Sequence, residues 1–387
     1  MFVLREPSDR STALAQSDIR AMTLACAKVK GINMSQGVCD TPVPEAVLRA
    51  AKDAMDDGCN IYTRFDGVPE LRRAIACKLR DYNRLEVDPE TDITVSAGAT
   101  GAFQATCFGL LNPGDEVVLF EPYYAYHLQA IIAVDAVPRY VSMLAPDWNF
   151  DQIALDRVIT PKTKAIVVNS PGNPSGKVYT RDELQMIAEA ASRHDLFVFT
   201  DEIYEYFVYD GREHVSFASL NGMADRTITI GGYSKTFSIT GWRIGYSVAA
   251  ARWAKIIGAM NDVIYVCAPA PLQYGVAAGI QQLPQSFYVG VTSEHQRKRD
   301  RFCQALAKAG LPPSVPQGAY YVLADVSRLS GATAKERAMY LLEKAGVAGV
   351  PGTAFFAGSN GERFMRFCFA KTDDELEEAS RRIERLG

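Results

Sequence analysis

Four short apolar runs, at residues 117–120, 165–168, 197–200 and 227–230, recur along the chain with turn residues at their ends and helical stretches or loops between them. Each is too short for a core helix, and an uninterrupted apolar run fits a strand covered on both faces, as strands of a parallel sheet are. Alternation of strands and helices over most of a chain predicts an α/β fold, with a mostly parallel central sheet and helices on both faces. Leu71, Ile75 and Leu79, spaced four apart after Pro69, predict one of the amphipathic helices, with Pro in the first turn where its missing N–H costs nothing. Thr180 with Glu183, and Thr372 with Glu375, have capping-box spacing and mark two further helix starts. One long helical region is expected over about 251–279, ended by Leu283-Pro284. After it come a helix, a Gly/Pro-rich turn at 312–318 and mixed strands and helices, the pattern of a smaller α+β domain.

Charge and composition narrow the function classes. The 387 residues carry 41 Lys+Arg against 45 Asp+Glu, a net charge of −4, with the basic residues scattered. A nucleic-acid footprint needs them clustered on one face. No stretch approaches the roughly 18 apolar residues of a membrane helix. Arg5, Glu6, Asp9 and Arg10 stand where a signal peptide would be apolar, so a cytoplasmic protein is expected, with no membrane partner. The eight cysteines are dispersed without a CxxC pair and are expected as buried thiols; with four dispersed histidines they suggest no metal site.

Four stretches carry candidate chemistry. In residues 231–245, GGYSKTFSITGWRIG, Lys235 follows a buried-type strand and precedes Arg243 by eight positions. A lysine that forms a Schiff base needs a largely apolar cleft, and a guanidinium can grip a phosphate bidentately. On spacing alone, a surface loop with two cations fits equally well. Asn173, in Ser170-Pro171-Gly172-Asn173-Pro174, follows an apolar run and by itself reads as a turn residue. Asp201, in Thr200-Asp201-Glu202-Ile203-Tyr204, falls at the C-terminal end of a strand, the edge where open α/β sheets bind ligands. Residues 96–101, SAGATG, lie between an apolar run and a helix, where free N–H groups can cradle a phosphate or simply make a tight turn.

Taken in this order, the four resemble class I/II pyridoxal-phosphate-dependent aminotransferases of fold type I, closest in look to the kynurenine, glutamine and methionine transaminase branch. SKTFSITGWRIG is the most specific element, and the likeness runs from about Ile32 to the C-terminal helix. It implies an N-terminal arm and part of a small domain over 1–44, a large cofactor domain over 45–282 and the rest of the small domain over 283–387, with the residues before about Ile19 reaching over a dimer partner. It further implies pyridoxal phosphate as cofactor, held by Lys235 through a Schiff base, with Lys235 also the proton shuttle. Asp201 would pair with the ring nitrogen, Asn173 and Tyr204 with its phenolic oxygen, and Tyr124 would stack on the ring. Arg243, Ser234, the Gly98-Ala99-Thr100 turn and Tyr62 of a second subunit would hold the phosphate, which makes the active unit a homodimer. Arg366, rather than nearby Arg363, would bind the substrate α-carboxylate, bordered by Gly37, Asn173 and Tyr124. Two departures stand out: Gly232 replaces a Ser or Asn common in relatives, and Val38-Cys39 replaces Glu-Pro after Gly37.

The implied reaction moves the α-amino group of a neutral or aromatic L-amino acid to a 2-oxo acid by a ping-pong route. A distal carboxylate would need a second cation: none occurs over 261–266, and Thr100 stands where some aspartate-specific relatives carry Lys. A buried unpaired charge costs several kcal/mol. Tyr126, Phe355 and Phe356 are candidate walls for an aromatic side chain, while Arg20 keeps a dicarboxylate transaminase open. A C–S β-lyase uses the same scaffold, and a cofactor-binding regulator is disfavoured because no helix-turn-helix pattern precedes the motifs.

Overall fold

The computed structural model describes residues 7–14 and 17–386. Seven strands form the central sheet: β1 (Ile93–Ala97), β2 (Glu116–Glu121), β3 (Val137–Ser142), β4 (Thr163–Asn169), β5 (Phe197–Asp201), β6 (Thr227–Gly232) and β7 (Ile244–Val248). Their order is β1-β7-β6-β5-β4-β2-β3. Only β7 runs against its neighbours β1 and β6; the remaining pairs are parallel. The four apolar runs are β2, β4, β5 and β6, and β2 and β6 are buried at every position. Because six of the seven strands point the same way, their C-terminal ends meet along one edge, where the chain leaves the sheet in loops.

Helices cover the faces as the periodicity requires. The helix Pro69–Lys78 turns Leu71 and Ile75 into the core and leaves Cys77 exposed on its outer side. Thr180 forms a complete capping box with Glu183 at the start of a helix over Arg181–Arg193, an arrangement that contributes about 1 kcal/mol. At Thr372 only the bond from the Glu375 N–H is made. The expected long helical region is two helices, Ala251–Tyr265 and Ala270–Gln282. The break falls where Val266 turns to φ +65° and Pro269 follows, a residue that forces its predecessor out of the helical region.

The second, smaller sheet is antiparallel: β8 (Tyr321–Asp325) pairs with β9 (Phe364–Cys368), flanked by the short strands Pro313–Ser314 and Val350–Pro351. Ile32–Asn33 pairs with Val347–Ala348, tying the early chain to the late chain. Met22, Cys26 and Met34 share one core with Phe302, Leu306, Val322 and Phe367. Within the expected arm, residues 1–6, 15 and 16 lie outside the described residues, and the helix Asp9–Ala13 packs on its own chain through Arg10, which reaches Ala133 O and Asp135. All eight thiols are free; Cys59 and Cys267 are partly exposed, so with Cys77 three of the expected buried thiols are not fully buried. No helix among the described residues is long and apolar enough to cross a membrane.

Candidate active site

The C-terminal edge of the sheet opens into a cavity of about 610 Å³ that lies between the large sheet and β9. Five of the six strands that end here deliver a side chain with their next few residues. Strand β5 ends on Asp201 and runs on to Tyr204, β6 leads to Ser234 and Lys235, β4 to Asn173, and β2 to Tyr124. Strand β1 leads into α1 (Gly98–Leu110), whose first turn brings Ala99 and Thr100 to the wall. From the smaller sheet come Arg366 on β9 and Tyr321 on β8, and the early chain adds Gly37.

Lys235 donates from Nζ to Gly37 O at 3.0 Å. Desolvation among its neighbours lowers its pKa to about 8; Arg243 pushes in the same direction, and Cys368, Cys39 and Asp201 oppose it. Asp201 is buried, with Oδ2 3.0 Å from His127 Nε2 and Oδ1 accepting the Ile203 N–H at 3.2 Å. His127 stacks on Phe103 at 4.4 Å between centroids and meets the edge of Tyr124 at 5.2 Å, so the carboxylate rests on a fixed ring. The Tyr204 hydroxyl lies 2.9 Å from that of Tyr321, and burial pushes its pKa well above the ordinary tyrosine value.

The Arg243 guanidinium is held at the N-terminus of α1. Its Nη1 donates to Thr240 O at 2.9 Å and its Nη2 to Ala97 O at 3.4 Å. Gly98 has φ +78°, and a Cβ added there would stand 2.2 Å from Arg243 Nη2; one added to Gly245 would meet Ala99 N at 2.3 Å. Glycine is therefore required at both places for the guanidinium and the helix terminus to come together. Free N–H groups at a helix start, a guanidinium and the Ser234 hydroxyl form a donor set suited to a phosphate dianion. At Gly232, which pairs with Gly245, a Cβ would lie 3.1 Å from both Gly245 Cα and Ile203 Cδ1, so the strand crossing leaves little room for the Ser or Asn of relatives.

Arg366 is 1% exposed, an unusual place for a guanidinium. Its Nη1 donates to Asn173 Oδ1 at 3.0 Å, its Nη2 to Ser35 O, and the rings of Tyr321 and Phe355 flank it at 4.5 and 5.0 Å. Its Nε has no partner among the described residues, leaving an unmet donor of a buried cation beside the cavity. Arg363 instead turns outward to Asp325.

Of the residues the sequence singled out, Gly98 touches Arg243 from behind the wall, and Tyr62, 79% exposed, is absent from this cavity. Tyr126 and Arg20 line it. Phe355 and Phe356 do not: both are core residues, Phe356 stacking on Phe364. Sequence reasoning missed His127 and Tyr321. The signal for His127 was its place three residues after Tyr124, one helical turn on in Ala125–Ala133.

A mostly parallel sheet with a lysine, a carboxylate and a phosphate-type donor set along its C-terminal edge defines a pyridoxal-phosphate enzyme of fold type I. The family model for aminotransferase class I and II matches residues 29–383, and the chain belongs to that pyridoxal-phosphate-dependent family. It is 37% identical over 385 residues to an aspartate aminotransferase of Pyrococcus abyssi, covering 98% of this chain and 97% of the relative. It is 35% identical over 378 residues to mouse kynurenine–oxoglutarate transaminase 3, covering 90% and 83%. The solved N-succinyldiaminopimelate aminotransferase of Mycobacterium tuberculosis superposes with a TM-score of 0.95 at 34% identity, covering 99% of this chain and 100% of that one. The chain is thus an aminotransferase acting between amino acids and 2-oxo acids.

Proposed function

We propose that this aminotransferase takes its amino group from neutral or aromatic L-amino acids and passes it to a 2-oxo acid in two half-reactions. The observation that carries the reading is the convergence of Lys235, Asp201, Arg243 and Arg366 on one cavity. Pyridoxal phosphate, when bound, supplies an electron sink for negative charge developing at the substrate Cα. Lys235 anchors it and then moves the proton at Cα, a task for which a pKa of about 8 leaves a useful neutral fraction near pH 7. Asp201, steadied by His127, would hold the ring nitrogen, with Asn173 and Tyr204 for the phenolic oxygen and Tyr124 for the ring face. Arg243, Ser234 and the Gly98-Ala99-Thr100 turn take the phosphate. Arg366 takes the α-carboxylate beside Gly37, its unpaired Nε being a donor that a carboxylate would satisfy.

Tyr62 acts from a second subunit in this reading. Ile61 is 80% exposed and Val263 81%. The two segments adjoin, since Asn261 Nδ2 donates to Phe65 O, so they form an apolar surface of the kind a homodimer covers. Domain boundaries near residues 44 and 282 separate the core shared by the two ends of the chain from the sheet that carries Lys235.

For the donor, Tyr126 and Ile19 offer an aromatic and apolar wall. Arg20 favours a second reading, in which a distal carboxylate is met at the cavity mouth: it is exposed there and is the only cation among the described lining residues beyond Lys235, Arg243 and Arg366. The test is a panel of single amino acids given to the holoenzyme without 2-oxo acid, following cofactor absorbance and products. Conversion to the pyridoxamine form by Phe, Tyr, Met or Gln but not Asp is expected. Conversion by Asp or Glu alone would move the donor to dicarboxylates, and release of ammonia and pyruvate would move the enzyme to the β-lyases.

The lowered pKa gives a second expectation. The neutral amine is the reactive form, so covalent capture of pyridoxal phosphate by cofactor-free protein should accelerate as pH rises, with a midpoint near 8. An ordinary lysine, with a pKa of about 10.4, would still be gaining rate well above pH 9. Stopped-flow absorbance across this range separates the two, and a curve still climbing at pH 10 would refute the perturbed lysine.

A further inference from the structure

The loop that carries Gly37 continues into Cys39, the second residue of the Val38-Cys39 pair that stands where the resemblance leads one to expect Glu-Pro. Cys39 is 6% exposed, and its Sγ lies 3.5 Å from His295 Nε2 and 3.3 Å from Thr41 Oγ1, which in turn is 2.5 Å from Ser238 Oγ. His295 Nδ1 is 2.8 Å from Val291 O. A carbonyl only accepts, so Nδ1 carries the hydrogen, and the lone pair of Nε2 in the neutral ring faces the thiol. A nucleophile, a base and a group that orients the base are therefore in line. Burial raises the thiol pKa, but the His295 hydrogen bond and charge, with the hydroxyls of Thr41 and Ser238, outweigh it and bring Cys39 to about 7. Cys368 and Cys303, with no such base, are pushed by burial up to about 11 and about 12.

This cluster borders a second cavity, of about 430 Å³, with Lys235 also in its wall. Nothing in the reaction described above uses it. We infer that Cys39 and His295 form a hydroperoxide-reactive thiol site, and that oxidation of Cys39 shuts down Lys235. The Cys39 thiolate attacks one oxygen of a hydroperoxide; the S–O bond forms as the O–O bond breaks, and the leaving alkoxide takes the proton that His295 accepted from the thiol. Sulfur is oxidised by two electrons to a sulfenic acid, and the peroxide is reduced to an alcohol, or to water from hydrogen peroxide. Two equivalents of an added thiol return the sulfenic acid to the thiol, yielding a disulfide of the added thiol and water.

The link to Lys235 is the loop itself. Gly37 O accepts from Lys235 Nζ at 3.0 Å and from the Tyr320 hydroxyl at 3.3 Å. Two residues on, Cys39 is enclosed between His295 and Thr41, and the backbone on either side is pinned by the bonds Cys368 N–H to Met34 O and Asp40 N–H to Ala370 O. An oxygen added to Cys39 displaces this short segment, and with it the carbonyl that aims the lysine. Lys235, Cys368, Tyr209 and Tyr320 are the other ionisable groups that interact with Cys39, and Glu294 at the cavity wall is paired with Lys298.

The test treats the holoenzyme with hydrogen peroxide and quenches it into dimedone for peptide mass spectrometry. In parallel it measures activity and the fraction of pyridoxal phosphate that borohydride fixes to the protein. The consequence for Lys235 rests on the role proposed for it above; the dimedone adduct does not, so the two can fail separately. Expected are an adduct on Cys39 and loss of most activity and fixation, with dithiothreitol restoring both when it replaces the trap. Cys39→Ser should keep its activity under peroxide. His295→Gln should react at least about tenfold more slowly at pH 7, and the gap should narrow only above the ordinary thiol value of about 8.5, because burial then goes unopposed by the imidazole. Labelling of exposed Cys77 without Cys39 would overturn the site, as would equal peroxide sensitivity in Cys39→Ser. Full labelling of Cys39 with activity and fixation unchanged would overturn the switch. Should Cys39→Ser fail to fold, the wild-type adduct and the His295→Gln rates decide alone.

Discussion

Lys235→Ala is expected to lower transamination by at least about 10⁴-fold while the protein stays folded and still binds pyridoxal phosphate. A positioned general base alone contributes roughly 10²–10⁴-fold, and this lysine is assigned a second task, the covalent anchor, so the combined loss lies at or beyond the top of that range. Stability should change little. Among the described residues the amine makes one hydrogen bond, to Gly37 O, and the side chain lines a cavity rather than filling a core. The phosphate donor set of Arg243, Ser234 and the α1 terminus is untouched, so affinity persists without the covalent link. Borohydride reduction followed by gel filtration separates the two properties: wild type should retain the cofactor label after denaturation and the variant should lose it. A variant that keeps the label, or more than about a hundredth of wild-type activity, would remove Lys235 from the centre of the mechanism. Restoration of part of the rate by a small added amine would isolate the base from the anchor, because an exogenous amine can move a proton but cannot tether the cofactor to the protein.

How much of this was legible beforehand depended on whether a property is local. The four apolar runs are strands because their pattern is self-contained, and the residues just after them fall at the binding edge for the same reason. Lys235, Asp201 and Asn173 could be singled out on that basis, although their chemistry came from the motifs around them. Strand β7 was hidden because its first two residues belong to the motif read for chemistry, and its direction against the sheet is a property of pairing that no periodicity encodes. His127 lies on a helix among apolar neighbours, and what makes it matter is Asp201, 74 residues away. The break after Tyr265 combines a left-handed φ at Val266, which no periodicity encodes, with Pro269, a helix breaker present in the sequence. Cys39 was visible only as a departure from the expected Glu-Pro; the imidazole that lowers its pKa comes from 256 positions further along the chain.

Arg366→Lys separates recognition of the common part of every substrate from recognition of its side chain. Lysine keeps the charge but loses the planar fork, and it cannot at once donate to Asn173 Oδ1 and Ser35 O and offer a third hydrogen in the direction of Nε. The loss of one buried charge-assisted bond is worth about 1.5–3 kcal/mol, so kcat/KM should fall by roughly 10- to 150-fold. The drop should be of similar size for Phe, Met, Gln and any dicarboxylate, because all present the same α-carboxylate. Arg20→Ala should behave oppositely: exposed at the mouth, it can affect only substrates long enough to reach it with a second charge, and neutral donors should be unmoved. Thermal melting of both variants guards against a trivial loss of fold, which matters more for Arg366, whose guanidinium is packed between Tyr321 and Phe355. If Arg366→Lys impaired dicarboxylates while sparing Phe, the arginine would be reading a side chain, and the orientation of substrate in the cavity would have to be reversed.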